Sequence, residues 1–134
     1  DTFELMVYDF VDDEGKHATY EGSVEIVEKS SKTGIPYEKI NIGLPFYSRP
    51  TDMSAYWYGY NSCYKAIDEN GWYHCTETNK NFWFNTPEVI KKKTEYALTN
   101  GYGGVMIWHY NCDLPVTDDV SLLKAIGTAV ESIN

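Results

Sequence analysis

Apolar and polar positions alternate along the chain in a pattern that predicts three strands, each followed by a helix. The strand-like runs are residues 3–10, 39–46 and 103–110, and the first contains the segment LMVYDF. Helical periodicity follows at residues 20–32, at 86–100 and from about residue 119 onward. The last helix has the clearest apolar face, with a spacing near 3.6 residues: Leu122, Leu123, Ile126, Ala129, Val130 and Ile133.

The ends of the predicted helices carry typical signals. Thr86-Pro87-Glu88 combines an N-cap residue, a proline in the first turn and an acid near the positive helix end. Gly34 and Gly101 stand where the first and second helices end. Strands that are apolar on both faces belong in a parallel sheet covered by helices. The order β-α-β-α-β-α therefore predicts an α/β fold with right-handed crossovers.

One connection is much longer than the others. About 40 residues separate Pro45 from Asn85, where a loop between a strand and a helix usually has roughly two to six. The segment is too aromatic for a disordered linker, so residues 50–85 are predicted to form a small inserted α+β subdomain with short antiparallel strands such as GWYHC. Its aromatic residues include Tyr56, Trp57, Tyr58, Tyr60, Trp72, Tyr73, Phe82, Trp83 and Phe84.

The composition narrows the class of partner. The net charge of −9 argues against nucleic acid and anionic membranes, because both select basic surfaces. The one basic run, Lys91 to Lys93, is interpreted as a solvated helix face. The chain has 12 Tyr, 5 Phe and 4 Trp, and the rings of tyrosine and tryptophan suit half-hydrated ligands such as sugars. No stretch has the length of a membrane span. There is no initiator methionine or signal peptide, which suggests a piece of a longer protein.

The three cysteines, Cys63, Cys75 and Cys112, lack metal-type spacing. His74 and His109 lie near two of them, but such irregular spacing disfavours zinc. Cys63 and Cys75 can form a disulfide if the protein is exported, and the alternative is three reduced, partly buried thiols. The sequence leaves both open and predicts no metal and no cofactor.

Polar and aromatic side chains collect where the three predicted strands end. Because the carboxyl ends of parallel strands meet at one edge, these residues are expected to face one space. An apolar floor with a few directional polar groups suits a neutral sugar. Each residue also has an ordinary structural explanation, such as an ion pair between Asp9 and Arg49 or a core position for Trp108. The residues are Tyr8, Asp9, Tyr47, Arg49, Trp108, His109 and Tyr110.

Several segments resemble the glycoside hydrolases of family 18, the chitinases and their relatives. MVYDF resembles the Met-x-Tyr-Asp segment at the end of the sixth barrel strand in that family. GIPYEKINIGLPFYSRP is similar to the seventh strand, and GYGGVMIWHYNCD, which ends at Asp113, to the eighth. FWFNTPEVIKKKTEYA resembles the lead into the seventh helix, and the insertion stands where many members carry an α+β subdomain.

The resemblance implies that residues 1–134 are the carboxyl-terminal portion of a (β/α)8 barrel, its last three βα units. Such barrels typically have about 250 residues. The family signature Asp-x-x-Asp-x-Asp-x-Glu, whose glutamate is the general acid, is absent from this chain. We therefore expect the segment alone to be inactive and, with open sheet edges, to self-associate.

The resemblance also implies a substrate-assisted mechanism, an exception to the two-carboxylate rule of most glycosidases. In that mechanism the 2-acetamido oxygen of the sugar attacks the anomeric carbon. Tyr8 is expected to hydrogen-bond the acetamido group, and Asp9 to accept hydrogen bonds from the distorted sugar. The expected binding residues are Met6 and Trp108 at the same sugar, Tyr47 and Arg49 at neighbouring groups, and Trp57 on the wall.

Three functions remain open from the sequence. The first is a secreted or cell-surface enzyme cutting β-1,4 bonds at N-acetylglucosamine in chitin or a related glycan. The second is a lectin of the same fold that has lost its acid. The third is a free-standing binding module unrelated to barrels, which predicts a stable monomer.

Overall fold

The computed structural model describes residues 1–134 and contains eleven helices and strands besides three short 3-10 turns. In chain order they are β1 (Phe3–Leu5), α1 (Tyr20–Ser31), β2 (Ile40–Pro45), β3 (Tyr47–Ser48), β4 (Tyr58–Gly59), α2 (Tyr60–Cys63), β5 (Trp72–Cys75), β6 (Lys80–Trp83), α3 (Pro87–Thr99), β7 (Gly104–Trp108) and α4 (Leu122–Ile133).

The central sheet has three strands in the order β1-β2-β7, and both pairings are parallel. The register places Leu5 beside Ile42 and Pro45 beside Trp108, so the last residues of β2 and β7 are level. Each strand is followed by a helix, α1, α3 or α4. The predicted α/β class is confirmed.

The first strand is shorter than predicted. β1 ends at Leu5, and the chain turns away at Asp9, whose φ is +64°. Of the apolar residues at 5, 6, 7 and 10, only Val7 is buried, while Met6 is 73% exposed. The expectation of a buried strand over residues 3–10 is wrong, because β1 pairs only with β2 and its other edge is uncovered.

The helices agree with the prediction except at their beginnings. Thr86 occupies the N-cap position of α3, but its side chain makes no capping hydrogen bond. α4 begins at Leu122 rather than near Asp119, because the Ser121 hydroxyl accepts a hydrogen bond from the Lys124 N–H. Two residues of its predicted apolar face, Val130 and Ile133, are 36% and 42% exposed.

The basic run on α3 is not the solvated face that the sequence suggests. Lys92 is exposed and Lys91 is partly exposed, but Lys93 is only 2% exposed. Consecutive helical residues point in directions about 100° apart, so one of three neighbouring lysines can face inward. The interpretation of the run as wholly solvated is corrected for Lys93.

The long connection between β2 and α3 contains two antiparallel pairs and a short helix. β3 pairs with β4, and β5, which covers the predicted GWYHC strand except for Gly71, pairs with β6. Phe82 and Phe84 are fully buried and belong to the same apolar cluster as Leu44, Ile90 and Leu122. The connection therefore shares a core with the sheet, α3 and α4.

The three cysteines are buried and free in the structure. No group of three or more His, Cys, Asp or Glu side chains is arranged to hold a metal ion. None of the helices is both long enough and apolar enough to span a membrane.

The open edges of the sheet generate the first testable prediction. β1 and β7 are the edge strands, and Phe3, Met6 and Trp108 beside them are 46%, 73% and 45% exposed. We expect residues 1–134 produced alone to self-associate, and Phe3→Lys to reduce the association because edge lysines oppose strand pairing. Size-exclusion chromatography with light scattering measures both. A concentration-independent monomer contradicts the expectation.

Candidate functional site

The carboxyl-terminal edge of the sheet brings most of the predicted site residues together. The ring of Tyr8 lies edge-on to that of Tyr47, with centroids 6.0 Å apart. Tyr47 is 5.4 Å from Trp57, and Trp57 is 6.4 Å from Trp108. Tyr8 lies three residues beyond the end of β1, Tyr47 and Trp57 belong to the long connection, and Trp108 is the last residue of β7.

Asp9 is the most constrained polar side chain at this edge. Its Oδ1 accepts hydrogen bonds from the Tyr47 hydroxyl and from Arg49 Nε, the latter at 2.6 Å. Burial opposes ionisation of Asp9, but these hydrogen bonds and the charge of Arg49 prevail and lower the pKa of the carboxyl. Asp9 is therefore an ionised acceptor. Because a second oxygen remains, it can also receive a hydrogen bond from a ligand.

His17 fixes the backbone of Asp9, a role that no sequence pattern indicated. Its Nε2 accepts the Asp9 N–H at 3.0 Å, so in the neutral ring the proton is on Nδ1. His17 is completely buried, and its Nδ1 has no hydrogen-bond partner. Burial, together with the nearby charge of Lys93, lowers the pKa of His17 to about 3, although Asp9 acts in the opposite direction.

Tyr8 is placed by a glycine on the neighbouring strand. A Cβ on Gly43 of β2 would lie 2.9 Å from Tyr8 Cε1, so only glycine leaves room for the ring here. The Tyr8 hydroxyl takes no part in the hydrogen bonds to Asp9. Burial and the Asp9 charge raise the pKa of Tyr8, so the hydroxyl stays protonated and can donate.

The aromatic part of the site is open. Trp57 and Trp108 are 41% and 45% exposed, and Met6 is also exposed. Exposed indole rings offer flat apolar surface of the kind that a pyranose ring covers. Tyr47, in contrast, is 5% exposed, because its ring packs against those of Tyr8, His17 and Trp57 and its hydroxyl donates to Asp9.

The remaining residues of the edge have local structural contacts. Arg49 also donates from Nη1 to the Ala55 carbonyl at 3.1 Å. His109 Nδ1 accepts the Asn111 N–H, and Tyr110 is 69% exposed. Asp113 accepts hydrogen bonds from the N–H groups at the start of α4 and thus caps that helix.

A separate cavity does not include these residues. It has a volume of about 930 Å³ and lies between the loop after Asp9, α1, the hairpin β5–β6 and the beginning of α3. Its lining contains both acidic and basic side chains. Lys16 Nζ lies over the ring of Trp83, and Lys92 Nζ lies over the ring of Tyr20. The candidate site is instead an open aromatic surface around Asp9.

A model of the family described as "Glycosyl hydrolases family 18" matches residues 1–113. The chain belongs to this family. Its α/β fold and parallel sheet agree with a portion of the barrel that such enzymes form. The family expected from MVYDF and the two later strand segments is confirmed.

Individual relatives are longer than this chain. It is 23% identical over 172 residues to chitinase 63 of Streptomyces plicatus, covering 98% of this chain and 27% of that protein. It superposes with a TM-score of 0.76 and 25% identity on the family 18 chitinase ChiB of Flavobacterium johnsoniae, covering 99% of this chain and 43% of that one. The chain thus spans less than half the length of these relatives.

One structural neighbour is named as a lectin. The chitinase-like agglutinin of Robinia pseudoacacia superposes with a TM-score of 0.71 and 18% identity, over 96% of this chain and 47% of that one. At this identity the likeness shows the shared fold.

The buried His17 generates a prediction about acid stability. An unfolded histidine has a pKa near 6.5, whereas that of His17 is about 3, so between these values the unfolded chain binds the extra proton. Stability should therefore fall as the pH drops from about 6.5 to 3. The contribution of His17 approaches ~1.4 kcal/mol per pH unit.

Chemical denaturation of the complete protein across this pH range measures the effect. His17→Asn keeps an acceptor for the Asp9 N–H but does not titrate, so its stability curve should be flatter than that of the wild type. His74→Asn, on the exposed face of β5, is the matched control. Equal slopes for His17→Asn and the wild type contradict the assignment.

Proposed function

We propose that residues 1–134 form the last three βα units of a (β/α)8 barrel whose complete protein cleaves β-1,4 bonds at N-acetylglucosamine units. The three parallel strands in sequential order, with helices after each, support the first part. Family membership and the chitinases among its relatives support the second. Chitin is the default substrate, and related glycans with the same sugar are the alternatives.

The observation that carries this proposal is the geometry around Asp9. An ionised carboxylate is held by Tyr47 and Arg49, a free tyrosine hydroxyl stands on the preceding residue, and an exposed indole lies on β7. An N-acetylated sugar offers complementary groups: amide and hydroxyl groups for the polar side chains, and an apolar ring face for tryptophan.

The proposed reaction uses the substrate's own acetamido group. As an acid protonates the glycosidic oxygen, the C1–O bond to the leaving group breaks and the acetamido carbonyl oxygen bonds to C1. Water then attacks C1 and breaks this new bond, so the configuration at C1 is retained overall. The Tyr8 hydroxyl holds the acetamido oxygen in line with C1, and Asp9 accepts hydrogen bonds from the distorted sugar. Both contributions are therefore strongest in the transition state.

Sugar binding is assigned to the residues around this pair. Trp108 forms the floor under the reacting ring, with Met6 beside it, and Trp57 forms part of the wall. Arg49 is proposed to bind neighbouring sugar groups as well as fixing Asp9, and Tyr47, which is almost fully buried, is proposed to contribute through the hydroxyl that it donates to Asp9. Residues 50–85 are proposed to be the insertion that deepens the cleft.

The acid itself is proposed to come from a segment outside these residues. Asp9, whose pKa is lowered, cannot serve as a proton donor near neutral pH. Residues 1–134 alone are therefore proposed to be inactive. Since chitin is a large polymer, the complete protein is proposed to act outside the cell, secreted or at its surface.

A lectin of the same fold is the second candidate function. It is favoured by one observation: Asp9 is ionised and held by Tyr47 and Arg49, so the carboxyl group of this site binds and orients and does not donate a proton. The sugar contacts would then be unchanged, and the segment outside these residues would lack the glutamate.

Substitutions at the site test the proposal in the complete protein. Tyr8→Phe and Asp9→Asn should lower kcat/KM for a chito-oligosaccharide by about 100-fold, because each removes a group that acts mainly in the transition state. If the complete protein is a lectin, the two substitutions should instead weaken sugar binding, and neither the wild type nor the variants should show turnover. Tyr37→Phe is the control, since Tyr37 precedes β2 at the opposite end of the sheet and stacks on Tyr102.

Initial rates of oligosaccharide cleavage and isothermal titration calorimetry separate the two outcomes. Unchanged turnover and unchanged sugar affinity in both variants contradict the proposed site.

A further inference from the structure

A buried polar cluster lies behind the loop that carries Asp9. The Lys93 ammonium donates to the Ala18 carbonyl at 2.6 Å and to Asn85 Oδ1 at 2.5 Å. Asn85 Nδ2 in turn lies 3.2 Å from the carbonyls of His17 and Ala18. All four residues are at most 2% exposed, so this cluster is sealed from water.

The cluster holds one end of a closed loop whose other end is Asp9. Within the loop, the Ala18 N–H donates to the Phe10 carbonyl at 2.9 Å, and Val11 and His17 form an antiparallel bridge. The ring of His17 then reaches back to accept the Asp9 N–H. A displacement of Ala18 therefore moves the acceptor that fixes the Asp9 backbone.

The loop also contains two residues in unfavourable backbone conformations. Asp9 and Ala18 have φ values of +64° and +48°, in the left-handed region that non-glycine residues seldom adopt. Such conformations persist only where the surroundings hold them. Lys93 and Asn85 hold Ala18, whereas His17 holds Asp9.

A lysine is energetically unfavourable at a buried position if its only role is to fill space. It forms no salt bridge, although Glu21 acts on it from a distance, and burial lowers the pKa of its ammonium to about 7. An apolar side chain of similar length would avoid the cost of removing an ammonium group from water. What such a side chain lacks is a donor for the Ala18 carbonyl.

We propose that Lys93 is a positioning residue for the sugar site: by holding the Ala18 carbonyl, it keeps the His17 ring against the Asp9 N–H and thereby orients the Asp9 carboxylate. The effect on catalysis rests on the proposed function of Asp9, but the effect on the geometry of the loop does not. Lys93 touches no sugar and takes no part in proton transfer.

Lys93→Met in the complete protein tests the inference, because methionine fills a similar space without a donor. The first measurement is amide hydrogen exchange at Asp9. We expect its exchange to be at least about tenfold faster than in the wild type after correction for global stability, since the His17 acceptor is no longer held. The 15N shift of His17 Nε2 should move toward that of an acceptor without a hydrogen bond.

Two further variants complete the test. Lys91→Met removes the same charge from the same helix at a partly exposed position and should leave Asp9 exchange and the His17 shift unchanged. Lys93→Gln retains a donor on a shorter side chain and should lie between the wild type and Lys93→Met. It also provides the comparison if Lys93→Met does not fold.

Turnover of a chito-oligosaccharide is the second measurement. We expect Lys93→Met to lower kcat by about tenfold with a smaller change in KM, because a loosened Asp9 acts mainly in the transition state. Unchanged Asp9 exchange in Lys93→Met and Lys93→Gln overturns the inference whatever the activity. Faster exchange with unchanged turnover supports the positioning and overturns the proposed role of Asp9.

Discussion

The site depends on the way in which Asp9 is held. Its backbone is left-handed, its N–H is bound by a buried histidine, and its carboxylate is bound by Tyr47 and Arg49. At Asp9 the chain leaves its extended course and enters the loop that follows. Tyr8, one residue earlier, stays against β2 in the space that Gly43 leaves. Because Asp9 is held by three partners, two at its carboxylate and one at its backbone N–H, it loses little further freedom when a ligand binds, so the binding energy is available for orienting the bound groups.

Several residues that hold Asp9 in place lower the stability of the folded chain. His17 must stay neutral to accept the Asp9 N–H, and its Nδ1 is left without a partner. Behind it, Lys93 is buried without a carboxylate, and Ala18 is in a backbone conformation that alanine rarely adopts. Each feature costs free energy in the folded chain, and all lie within one loop and the helix behind it. Unfavourable features that cluster beside a ligand site, rather than being scattered, are typical of residues selected for function.

Sequence patterns predicted the parts of the molecule that depend on local periodicity and on motifs. The three strand–helix units, the GWYHC strand and the common edge of Tyr8, Asp9 and Trp108 follow from apolar runs and from the order of parallel strands. The length of β1 did not, because Leu5, Met6, Val7 and Phe10 are apolar whether or not a neighbouring strand covers them. His17 and Lys93 were missed for a different reason. A histidine in a polar loop and the last of three lysines on a helix resemble solvated residues, and only the tertiary packing of α3 behind that loop buries them.

The decisive experiment is a crystal structure of the complete protein with a bound chito-oligosaccharide. We expect an N-acetylglucosamine ring stacked on Trp108, with its acetamido oxygen within hydrogen-bond distance of the Tyr8 hydroxyl and with Asp9 accepting a hydrogen bond from the same sugar. The hydrogen bonds that Asp9 accepts from Tyr47 and Arg49, and the one that its N–H donates to His17, should be unchanged. A sugar bound elsewhere, for example in the groove between α1 and α3, with the surface around Asp9 empty, would show that Asp9 does not mark the sugar site.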